Sequence, residues 1–107
     1  MLNLVRPMTL NPQPPDHLSE SAREWWHDVL DSHFLEPHHV KLLQAACESW
    51  DRAQSAREAV AEHGVVTQGR YGQLVGNPAA IIEKEARSLF ARLLSQLDLD
   101  SEPRTSE

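Results

Sequence analysis

The chain has 107 residues, 40% apolar and 24% charged, with a formal net charge of −6. That is one small domain with a modest core, too apolar to be disordered and without the basic surplus of most phosphate-tracking proteins. No apolar run reaches 18 residues, which excludes a membrane-spanning helix, and the N-terminus lacks the apolar stretch of a signal peptide.

Residues 1–17 hold Pro7, Pro12, Pro14 and Pro15 and read as an extended, polyproline-like arm, a flexible leader rather than a strap. Ser19 is the N-cap expected for a first helix, with Leu18 before it as a staple residue. Its apolar face is Ala22, Trp25, Trp26, Val29 and Leu30. Adjacent tryptophans point about 100° apart, so burying both requires two contact surfaces. Either both belong to the core or one faces a neighbouring subunit.

After the short turn "SHFLEP", Pro37 to His63 reads as one uninterrupted helix. Proline suits its first position, and Gly64 suits its C-terminal cap. Leu43, Ala46, Trp50, Ala53, Ala56 and Val60 share a broad face at helical spacing. At 1.5 Å per residue the helix is about 40 Å long. A compact domain of this size has a radius of gyration near 13 Å, so the helix is expected to project and to bury its length against a neighbour. Trp25, Trp26, Leu43, Trp50, Ala53 and Val60 are the expected core or oligomer face.

The single Cys47 lies on the apolar side of that helix and has no internal disulfide partner, which suits an intracellular chain. Beyond Gly64, "VVTQGRYGQLV" alternates strand-like residues with Gly69 and Gly72, predicting a short β-hairpin or extended loop. Asn77 and Pro78 open a third helix that runs to about Leu97, with Ile82, Ala86, Leu89, Leu93 and Leu97 in one stripe. Ile81, Phe90 and Leu94 broaden the stripe, and Glu83 and Arg87 are spaced to pair. The expected fold is all-α: an antiparallel helical hairpin with a long second helix, then the hairpin or loop, then a third helix. Residues 18–97 form the helical oligomerisation domain, and 98–107 an acidic flexible tail.

Nothing catalytic emerges. The six histidines are scattered; His38 and His39 diverge on a helix, and His33 approaching His38 would supply only two ligands. No HExxH motif and no cysteine pair is present. The expectation is a non-enzyme with no metal and no cofactor. Charge is segregated: residues 16–63 hold ten acids and four bases, whereas 67–95 hold four bases and two acids. Any nucleic-acid contact therefore falls to Arg70, Lys84, Arg87 and Arg92, with Arg6 from the arm. The antiparallel helices are a weak match to a DNA-binding helix-turn-helix, because the second helix runs about seven turns and opens with one lysine.

Three blocks together, "PQPPDHLSESAREWW", "LLQAACESWDRAQSAREAVAEHG" and "GNPAAIIEKEARSLFARLLSQLDL", resemble the small subunit of phage DNA-packaging terminase, in its short helical branch. The last block is similar to a Pro-Ala, aliphatic-pair, helix pattern that ends Leu-Gly-Leu; here the ending is Leu97-Asp98-Leu99. The resemblance implies a homo-oligomeric ring in the host cytoplasm. Such a ring recognises viral double-stranded DNA and regulates the large ATPase and nuclease subunit. Relatives often begin with a basic arm, whereas only Arg6 precedes the prolines here. Two other readings stand beside it: a helical protein–protein scaffold, and a small dimeric DNA-binding regulator.

Overall fold

Ser19 starts α1 (Glu20–Ser32) by accepting a hydrogen bond from the Ala22 amide at 3.2 Å, as an N-cap serine should. The computed structural model describes residues 12–100. α2 runs Pro37–His63, and Gly64 stops it at φ 88° and ψ 167°, backbone that a Cβ would strain. Two three-residue strands, β1 (Val66–Gln68) and β2 (Leu74–Gly76), pair antiparallel with Thr67 opposite Val75. The Asn77 side chain caps α3 (Pro78–Leu97) by accepting from the Ala79 amide at 3.0 Å. Its Nδ2 donates to the Gly64 carbonyl at 2.7 Å, tying the hairpin's base to the end of α2.

α2 and α3 lie antiparallel along their lengths and carry most of the helix–helix contact, while α1 packs on the α2 half remote from the hairpin. The core is asymmetric along this rod. At the three-helix end it holds Trp26, Val29 and Leu30 with Leu43, Ala46, Cys47, Leu93 and Leu97. Toward the hairpin the buried residues are the small Ala53, Ala56 and Ala86, which let two helices approach closely. The molecule measures 69 × 27 × 18 Å with a radius of gyration of 18.4 Å, well above the roughly 13 Å of a compact chain.

The chain's own α3 covers much of the length of α2, because the α3 stripe matches the alanine-rich half in shape. One expectation changes. The proline stretch behaves differently within residues 12–18. Trp26 Nε1 donates to the Pro12 carbonyl at 3.1 Å, and the Arg23 guanidinium donates to the Pro15 carbonyl at 2.8 Å. Pro14 and Leu18 are buried. The anchors are the Trp26 and Arg23 side chains of α1, together with the buried Pro14 and with His17, which donates to Glu48 on α2 at 2.8 Å. Residues 1–11 lie outside the described residues.

Candidate functional site

Trp25 and Trp26 separate as their 100° offset requires. Trp26 is 1% exposed, inside the core. Trp25 is half-buried on the flank of α1, its ring centroid 5.8 Å from that of Phe90. Trp50 also meets Phe90, their ring centroids 5.4 Å apart. Both pairs are tilted, at 58° and 51°, the edge-on arrangement aromatic quadrupoles favour. Trp25, Trp50 and Phe90, with Ser21 and Ala22, line an apolar groove of about 250 Å3 between α1 and α3, floored by α2. That is below the roughly 300–1,000 Å3 of a small-molecule site. The groove suits one or two large side chains.

Of the expected core or oligomer face, Trp26, Leu43 and Ala53 are buried, while Trp25, Trp50 and Val60 are half-buried. Trp50 is thus a groove wall rather than the centre of a closed core. Leu89 and Ile81, expected within or beside the apolar stripe of α3, sit at its edge and are exposed. A second uncovered apolar surface is the hairpin: Val65, Val66, Tyr71 and Leu74 are all exposed, Tyr71 by 83% and Leu74 by 76%, while Phe34 is exposed in the α1–α2 turn. Sequence reasoning missed Phe90 as the hub of the groove. The signal was available, since Phe90 is the one aromatic residue in α3.

The basic residues do not gather in one patch. Lys84 and Arg92 are exposed on the solvent side of α3, about 12 Å apart along its axis. Arg87 is exposed and paired with Glu83, Nε to Oε2 at 3.0 Å. Arg70 stands apart in the turn of the hairpin. Arg6 lies outside the described residues.

The acidic side is partly committed to structure. Asp51 on α2 accepts from the Ser19 amide at 2.7 Å and from Ser19 Oγ at 2.6 Å. Glu48 accepts from Gln44 at 3.0 Å and from His17 Nε2 at 2.8 Å. The Gln44 bond, and to a lesser extent His17, hold its carboxyl below the usual range despite some burial. Cys47 is fully buried, and burial first, then the fields of Asp51 and Glu48, push its thiol up to about 12. That is a packing cysteine rather than a nucleophile.

The histidines are placed differently from expectation. The His38 and His39 rings lie against each other rather than apart, centroids 4.1 Å apart and planes tilted by 40°. His33 Nε2 donates to the Leu99 carbonyl at 2.8 Å, fastening the segment after α3 to the α1–α2 turn. Among the described residues, no three His, Cys, Asp or Glu side chains gather as metal ligands would. No helix among them is long and apolar enough to cross a membrane.

A family model described as "Phage terminase, small subunit" matches residues 22–106. No curated protein and no solved structure matches the chain.

Proposed function

The chain belongs to the phage terminase small-subunit family, and from that premise we propose that it is the non-catalytic, ring-forming component of a viral DNA-packaging terminase. In this reading the assembled ring recognises viral double-stranded DNA. It hands that DNA to the large ATPase and nuclease subunit and regulates that subunit. The family is generally the non-catalytic component of such machines.

The observation that carries the oligomeric part is the rod itself. Among the described residues, its apolar surface stays uncovered at the aromatic groove and at the hairpin, and more locally at Phe34, Ile81 and Leu89. Apolar surface of this kind marks contact with another macromolecule. For DNA, the exposed cations of α3 supply the contact: Lys84 and Arg92, with Arg87 weakened by its bond to Glu83. One subunit offers few phosphate contacts, so its own affinity is low; a ring repeats the α3 face and gains by multivalency.

Duplex-DNA anisotropy titrations at two salt concentrations test this. The assembled chain should bind at low salt, with an affinity that falls steeply as salt rises. Lys84→Glu with Arg92→Glu should abolish binding without changing the oligomer mass. A double variant that binds as well as the parent would remove α3 as the DNA face. Absence of binding by the parent at low salt would favour the scaffold reading, which the acid surplus of residues 16–63 supports.

A further inference from the structure

The groove and the hairpin differ in shape in the way that partner surfaces do. One is concave, the groove of Trp25, Trp50 and Phe90. The other is convex, the hairpin turn with Tyr71 and Leu74 almost fully exposed at its end. The groove's volume of about 250 Å3 matches large side chains rather than a small-molecule ligand.

Charge agrees with shape. On α1, Glu24 and Asp28 follow the groove residues Ser21 and Trp25 by three positions, which makes them surface neighbours of its rim. Neither carries an ion pair among the described residues. The α3 side of the rim holds Arg87, already neutralised by Glu83. The rim is therefore net negative. The hairpin turn, Gly69 to Gln73, contains one charge, Arg70, also without an ion pair among the described residues.

One chain cannot satisfy itself. From Trp50 to the end of α2 at His63 is about 20 Å of continuous helix, with the hairpin beyond it. The turn cannot fold back onto the groove without breaking α2. Contact between the two surfaces must join different copies, either reciprocally in a two-fold pair or head-to-tail, and a species larger than a dimer requires the head-to-tail form. Such a contact closes into a ring when its rotation allows.

We propose that the groove between α1 and α3 receives the hairpin turn of a second copy, with Tyr71 and Leu74 filling it and Arg70 facing Glu24 and Asp28. This rests on the oligomeric reading above and specifies its interface.

The test uses the full chain and variants at exposed positions, where the monomer fold is not at stake. Tyr71→Ser with Leu74→Ser removes the plug, and Ser21→Arg blocks the groove. Each should weaken assembly by roughly 30-fold or more, as loss of a central interface anchor does. Mixed, the two variants should form a 1:1 dimer, since one retains a plug and the other a groove. Arg70→Glu should likewise weaken assembly, and Glu24→Arg with Asp28→Arg in the same chain should restore it. A parent that assembles while the plug variant assembles as tightly would overturn this interface and leave the oligomeric reading intact. A parent that stays monomeric would overturn the oligomeric reading, and this interface with it.

Discussion

Asp98 ends α3 with φ 54° and ψ 51°, the one non-glycine residue at positive φ among the described residues. A Cβ in this left-handed region costs roughly 1–2 kcal/mol, and aspartate and asparagine tolerate it better than most. The turn it makes delivers both flanking leucines to the core: Leu97 is buried, and Leu99 packs against the cluster. That explains why the resembling pattern reads Leu-Gly-Leu, because glycine adopts this conformation without strain. Asp98→Val should therefore lower stability by about 1–2 kcal/mol, and Asp98→Gly, which keeps the backbone geometry free of strain, should lower it by less. Urea unfolding of the two variants decides this. Equal losses would mean that the aspartate side chain, not the backbone geometry, is what the position requires.

At 13 residues, α1 is too short to persist alone and depends on what holds it. Trp26 and Leu30 anchor its apolar face, and Asp51 receives the Ser19 amide and hydroxyl at its positive end. Ser19→Ala should cost about 1 kcal/mol, the usual loss of an N-cap. Asp51→Ala should cost a similar amount, and the double variant less than the two together, because they share one interaction. Strict additivity in that cycle would mean that the Ser19–Asp51 contact holds nothing. The helix boundaries were legible because local chemistry sets them: Ser19, Pro37, Gly64, Asn77 and Pro78 act within a turn of their own positions. The Glu83–Arg87 pair was legible for the same reason. What could not be read were the contacts between distant segments, such as Trp26 with the Pro12 carbonyl and Ser19 with Asp51. Backbone carbonyls leave no mark in a sequence, and the rotation of α1 about its axis decides which tryptophan enters the core. The covering of α2 by α3 was legible only as an alanine-rich half open to close approach, because which helix approaches is set by the path of the chain, and this chain is a rod. Of the candidate site, the two tryptophans and the cations of α3 were visible, but Phe90 between the tryptophans was not.

On the scale of the whole molecule, the 69 Å rod keeps the groove and the hairpin on separate parts of one chain. Acids outnumber bases ten to four in residues 16–63, whereas α3 carries Lys84, Arg87 and Arg92 against Glu83 and Glu85. A head-to-tail contact uses the first separation, and a repeated α3 face uses the second. The central claim is that copies of this chain assemble, and native mass spectrometry across a micromolar concentration series measures it most directly. With a subunit mass of 12.1 kDa, the account predicts one discrete species well above a dimer, persisting on dilution until it falls apart to monomer. A 12.1 kDa monomer at every concentration would contradict it.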